Sequence, residues 1–166
     1  MLFRSLLLLE AGHHLVVLDS YANSSPEALR RVASLAGPQA ADRLQVIKGD
    51  IRSTADLERA FAACKAQGGR ALDAVIHFAG LKAVGESVAE PLRYWDVNLS
   101  GSRQLVSAMQ AHGCRTLVFS SSATLYGYPE TVPIPETAAI APINPYGHSK
   151  AAVEQLLADI AASEPG

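Results

Sequence analysis

Leu15-Val16-Val17-Leu18-Asp19 is the stretch that decides the fold: four apolar residues in a row, two of them β-branched, closed by an acid. The run is too short for a helix and does not alternate, which predicts a strand buried on both faces. Upstream, Leu2 to Leu9 reads as a buried helix stopped near Gly12. Downstream, the same unit of apolar run, turn and helical stretch recurs. Strands are expected at Leu15 to Asp19, Leu44 to Lys48, Asp73 to Phe78 and Thr116 to Ser120, and helices near 26–36, 54–67, 91–112 and 146–162. Apolar strands alternating with helices predict a parallel sheet covered on both sides, a doubly wound α/β fold. The Pro-rich segment from Pro129 to Pro145 reads as a connector within it.

Composition supports one globular unit: 166 residues, 49% hydrophobic and 18% charged. With a net charge of −2, a pI near 6.2 and no Lys/Arg cluster, a nucleic acid or an anionic membrane is not expected as a partner. Cys64 and Cys114 lie far apart and form no C-x-x-C, so neither a disulfide framework nor a metal site is expected, and a reducing, cytoplasmic setting fits. The apolar start is cut off by Glu10 before a secretory core is complete, and it is too short to span a bilayer.

In doubly wound folds ligands sit at the carboxyl ends of strands, so the residues after each run are the candidates. Asp19 ends the first run, where an acid is the usual partner of an NAD ribose; capping a turn is an equally good reading of it alone. Asp50-Ile51 follows the second, Phe78-Ala79-Gly80 the third and Ser120-Ser121-Ser122-Ala123-Thr124-Leu125-Tyr126-Gly127 the fourth. Tyr146 and Lys150, four apart at the start of a helix, share one face. A tyrosine, with a reference pKa near ~10, is a poor base at neutral pH unless a nearby cation favours its phenolate. Lys150 is placed to be that cation. Taken alone, the pair reads more readily as an ordinary helix start with a packed tyrosine and a solvated lysine. The glycine-rich turn expected about 20 residues before the strand-ending acid is absent, since counting back from Asp19 runs out at Met1.

Three stretches together carry a resemblance: Val75-Ile76-His77-Phe78-Ala79-Gly80-Leu81-Lys82-Ala83-Val84-Gly85-Glu86-Ser87-Val88, Ser120 to Gly127, and Tyr146-x-x-x-Lys150. They resemble the UDP-glucose 4-epimerase family of the extended short-chain dehydrogenases, over nearly the whole chain. The resemblance implies that residues 1–166 are one incomplete Rossmann-like NAD-binding domain. It implies that the first strand with its glycine-rich loop, and the substrate domain, are missing. It also implies a UDP-sugar substrate and, for the complete protein, a homodimer. By the same resemblance Tyr146 is the base at the sugar C4 hydroxyl, Lys150 lowers its pKa and holds the nicotinamide ribose, and Ser122 bonds the same hydroxyl. Asp19 is assigned to the adenine ribose, Asp50 and Ile51 to the adenine, and Phe78, Ala79, Gly80, Lys82, Asn98 and Ser120 to other parts of NAD. Lys82 reads equally as a solvated lysine and Asn98 as a helix-surface amide, and His148 as a surface histidine. A sugar-nucleotide dehydratase of the same superfamily is the nearest alternative, followed by a non-catalytic dinucleotide-binding remnant. Such dehydratases place an Asp-Glu pair where this chain has Ala123 and Thr124.

Overall fold

The computed structural model describes residues 2–68 and 72–163; the 1–166 span expected as one domain begins and ends on residues outside these. In chain order the elements are α1 (Leu2–Glu10), β1 (Leu15–Asp19), α2 (Pro26–Ala36), α3 (Pro38–Ala41), β2 (Leu44–Lys48), α4 (Thr54–Gly68) and β3 (Val75–His77). They continue as α5 (Val84–Ala89), α6 (Pro91–Tyr94), a π-helical segment (Trp95–Ser100), α7 (Gly101–Ala111), β4 (Leu117–Phe119), a 3₁₀ turn (Ala123–Tyr126) and α8 (Pro145–Ser163). Local chemistry sets several of these boundaries. Ser25 accepts a hydrogen bond from Glu27 N at 3.3 Å and Pro26 fills the first turn of α2, where its missing N–H costs nothing. Asn144 does the same for α8, accepting from Gly147 N at 2.8 Å just before Pro145.

The chain divides into two compact units, one comprising the residues up to Phe78 with Gln104–Val118, the other Ala79–Arg103 with the residues from Phe119 onward. In the first, β1 and β2 run parallel, with Leu15 opposite Leu44, Val17 opposite Val46 and Asp19 opposite Lys48. β3 pairs with β4, Val75 N donating to Thr116 O at 2.9 Å. Leu9, Val32 and Ala40 of α1, α2 and α3 form a core against Leu15 and Leu44. The α/β class and parallel pairing are as expected. The strands fall into two ladders of two, however, because among the described residues no strand lies between β1 and β3 to join them. Burial on both faces is not met either. Val46, Ile76 and Val118 keep 41%, 39% and 56% of their surface in solvent. β2 is an outer strand with one neighbour, and ladders of two strands give a helix layer little width to cover.

In the second unit, Leu81, Tyr94 and Tyr146 form the core, with Val97 against them. The stretch expected as one helix over 91–112 is α6, then a π-helical turn at Trp95–Ser100, then α7. Such single π turns cluster at functional positions.

Candidate active site

The second unit gathers most of the candidate residues. Ser149, Lys150 and Val153 face inward on α8 beside Tyr146, so the pair four apart is buried rather than solvated: Tyr146 is 8% exposed and Lys150 6%. Lys150 Nζ donates to the backbone oxygen of Ser120 at 2.9 Å and lies 4.5 Å from the centroid of the Phe119 ring. Burial pulls the Lys150 pKa from its ordinary 10.5 down to about 8, with Glu154 pulling weakly the other way. Its ammonium spends one of three N–H groups on Ser120, which leaves donors for hydroxyls of a bound molecule.

Gly80 sits beside it at φ +150°, where a Cβ would lie 2.9 Å from Asn98 Oδ1 and 3.9 Å from Lys150 Nζ. The absent side chain lets Asn98 approach this backbone closely, at a φ that few residues other than glycine adopt. Asn98, far from being a surface amide, is buried: its Oδ1 accepts from Leu81 N at 2.8 Å, and its Nδ2 donates to Leu81 O and to Ser149 Oγ, each at 3.0 Å. Ser149 Oγ donates in turn to Tyr146 O at 2.8 Å. The π segment thus ties the turn after Gly80 to α8. Both amide protons of Asn98 are spent, leaving one acceptor site. Lys82 is exposed, and His148 faces solvent.

After β4, Ser122 caps the 3₁₀ turn. Its Oγ accepts from Thr124 N at 3.3 Å and from Thr124 Oγ1 at 2.9 Å. Two bonds fill its lone pairs and leave its own proton to donate outward. Ser121 Oγ is buried without a hydrogen-bond partner. The remaining donors of Lys150, the proton of Ser122 and this orphaned hydroxyl together suit NAD with a sugar hydroxyl.

The other candidates, Ala79 apart, lie in the first unit. Asp19 Oδ1 accepts from Tyr21 N and from Ser24 Oγ, both at 2.8 Å, so its turn-capping reading is realised on one oxygen. That bond holds Tyr21 at φ 59°, rare for a residue with a side chain. Gly49 N donates to Asp19 O at 3.1 Å, bringing the ends of β1 and β2 together. Asp50 is gripped by Arg52 through both carboxylate oxygens, the closest pair at 2.6 Å, and this holds its carboxyl below the ordinary range. Ile51 is buried, and the Arg4 guanidinium lies 4.9 Å from the centroid of the Phe78 ring. Ala79, at the start of the second unit, is half-buried. Among the described residues no group of three His, Cys, Asp or Glu converges to hold a metal, and no helix is long and apolar enough to cross a membrane.

Sequence reasoning missed Tyr94, Glu86, Arg52, Ser149 and Asn144. Only Asn144, a capping residue directly before a proline, had a local signal.

Residues 3–165 match the protein family described as GDP-mannose 4,6 dehydratase. The UDP-glucose 4-epimerase 3 of Oryza sativa subsp. japonica is 48% identical over 158 residues, covering 95% of this chain and 41% of its own. A bifunctional UDP-glucose and UDP-xylose 4-epimerase of Arabidopsis thaliana is 45% identical over 95% of this chain and 43% of its own. The crystal structure of UDP-glucose 4-epimerase from Bifidobacterium longum, in complex with NAD+ and UDP, superposes with a TM-score of 0.88 at 42% identity, over 99% of this chain and 46% of that one. The chain therefore spans less than half the length of these relatives.

Proposed function

Since the chain belongs to the family described as GDP-mannose 4,6 dehydratase, we propose that it carries the cofactor-binding and proton-transfer part of an NAD-dependent UDP-glucose 4-epimerase. The observation that carries this is the buried Tyr146 and Lys150 on one face of α8, with Lys150 Nζ fixed on Ser120 O at 2.9 Å. NAD, when bound, supplies a hydride acceptor that later returns the hydride to the other face of the sugar carbon. Tyr146 takes the proton of the C4 hydroxyl and gives it back, help worth roughly 10²–10⁴ in rate. Lys150 keeps positive charge beside that phenol and offers its remaining N–H groups to the ribose. Ser122 donates its free proton to the C4 oxygen. Gly80, Ala79, Phe78, Ser120, Lys82 and the remaining acceptor of Asn98 are assigned to NAD. The second oxygen of Asp19 is assigned to the adenine ribose, and Asp50 with Ile51 to the adenine.

Dehydration is the second reading, favoured by the family's description. It fails on chemistry. Elimination of water needs a carboxylic acid and a base after Ser122, and Ala123 and Thr124 are neither. Both units are read as parts of one NAD-binding domain of a protein that grips the UDP-sugar with residues beyond these 166, in line with the share of the relatives matched. A second copy is its expected partner, supported by the exposed apolar residues Val84, Val88, Leu92 and Trp95 recurring every three or four positions. A reducing, cytoplasmic setting suits two cysteines that are both free. To test the reaction, residues 2–163 are built into the matching part of the Bifidobacterium longum epimerase and the chimera is given UDP-galactose. UDP-glucose is the expected product; a 4-keto-6-deoxy sugar would sink the epimerase reading.

A further inference from the structure

Tyr94 has no exposed surface, and its hydroxyl is pinned from two sides. It accepts from Ala83 N at 2.9 Å, and its proton is shared between Ala83 O and Glu86 Oε2, each at 2.7 Å. Arg93 braces Glu86 from outside, Nη1 to Oε1 at 2.9 Å. On the inner side, the Tyr94 ring meets the Tyr146 ring edge to face, with centroids 6.4 Å apart and planes at 79°. Ala83, the residue before α5, offers no side-chain cap, so Tyr94 holds from a distance the backbone that leads into the helix. One side chain thus joins the Lys82–Glu86 turn to the candidate base.

We propose that Tyr94 is a positioning residue with two separable parts: its hydroxyl, braced by Glu86, fixes the turn that presents Lys82 to the cofactor, and its ring fixes the orientation of Tyr146. The inference rests on the epimerase reading. Burial and the bond to Glu86 push the Tyr94 phenol up to about 12, so it remains a donor across any working pH. Bonding to Tyr94, helped by Arg93, holds the Glu86 carboxyl below its ordinary range, so that carboxylate stays an acceptor.

The test uses the same chimera. Tyr94→Phe keeps the ring and removes the clamp: the dissociation constant for NAD is expected to rise about tenfold while kcat at saturating NAD stays within about twofold. Tyr94→Leu removes the ring as well, and kcat is expected to fall a further tenfold or more. Glu86→Gln retains an acceptor and should keep near-normal NAD affinity, whereas Glu86→Ala should lose it. Hydrogen exchange at the Ala83 amide should quicken at least tenfold in Tyr94→Phe, with the Leu81 amide, held by Asn98, unchanged. Unaltered exchange at Ala83, or equal loss of kcat in the Phe and Leu variants, overturns the inference. An unmodified chimera that folds but neither binds NAD nor turns over UDP-galactose counts against the epimerase reading instead, and the Ala83 exchange still decides the clamp.

Discussion

Burial at Lys150 gives the site a pH dependence whose sign follows from linkage. The folded protein binds the Lys150 proton less tightly than the unfolded chain does, so between about pH 8 and 10.5 the unfolded state holds more protons. Stability from this group therefore rises with pH across that window. A fall from 10.5 to about 8, at about 1.4 kcal/mol per unit, is on the order of 3 kcal/mol. Chemical denaturation of the chimera and its Lys150→Met variant, repeated from pH 7 to 10.5, should show the unsubstituted chimera gaining on the variant by that order; a flat difference would refute the buried cation. Activity runs the opposite way. Above about pH 8 the ammonium proposed to hold the ribose hydroxyls is lost, so kcat/KM of the assembled enzyme is expected to decline there. Tyr146→Phe, which keeps the ring and removes the proton acceptor, should cut turnover by roughly 10²–10⁴ while leaving NAD affinity nearly intact. Lys150→Ala should damage both. Near-normal turnover in Tyr146→Phe would remove the base from this account.

At the scale of elements, the parts written locally were legible and the parts written by contact at a distance were not. β1, β2 and α2 have the bounds expected of them, and Ser25 caps α2. β3 and β4 are a residue or two shorter at each end than their runs, an ordinary fraying of boundaries. α5 and the π turn carried no local signal. The first is capped by Tyr94 eleven residues away, and the second surrounds an asparagine whose partners lie 17 and 51 residues off. The site divided the same way. Spacing placed Tyr146 and Lys150 together, but nothing in the spacing showed that Asn98 would hold Leu81 to Ser149. That clamp predicts a large effect for Asn98→Ala. Two backbone groups of Leu81 and the hydroxyl of Ser149 would lose a buried partner at about 1–3 kcal/mol each, so the unfolding free energy of the chimera should drop by at least roughly 3 kcal/mol. A loss below about 1 kcal/mol would mean that the π turn is held by something else. Gly127 makes a second case. It lies at φ +56°, and a Cβ there would collide with the carbonyl oxygen of Ala141, the residue whose N–H donates to Leu125 O at 2.8 Å. Gly127→Ala combines overpacking with left-handed backbone, and a cost of about 2–4 kcal/mol is expected from denaturation curves of the chimera.

For the whole molecule, the ladders set the limit on what 166 residues do alone. In the usual order of this fold one strand lies between those occupied here by β1 and β3, and the turn after it presents a helix N-terminus to the pyrophosphate. β1 has β2 as its strand neighbour and β3 has β4, and the sequence holds no glycine-rich turn before Asp19. Two pairs of strands are marginal by themselves. Their outer edges can pair with another chain, and Phe3, Leu7, Ile76 and Val118 add exposed apolar surface that favours aggregation. Asp19 and Asp50, the acids proposed for the adenine side, follow β1 and β2, while the glycine-rich turn that would hold the phosphates is not found before Asp19. Residues 1–166 expressed alone are therefore expected to lack epimerase activity, to bind NAD weakly if at all, and to show no cooperative monomeric unfolding transition. Calorimetric titration with NAD, a UDP-galactose assay and sedimentation on the same preparation check this together. The chimera carrying the neighbouring segments should recover NAD binding and lose the tendency to associate through open strand edges. Micromolar NAD binding with turnover in the chain alone would mean that the central strand and glycine-rich turn are dispensable, and that α8 with the turn at Gly80 suffices to hold the cofactor.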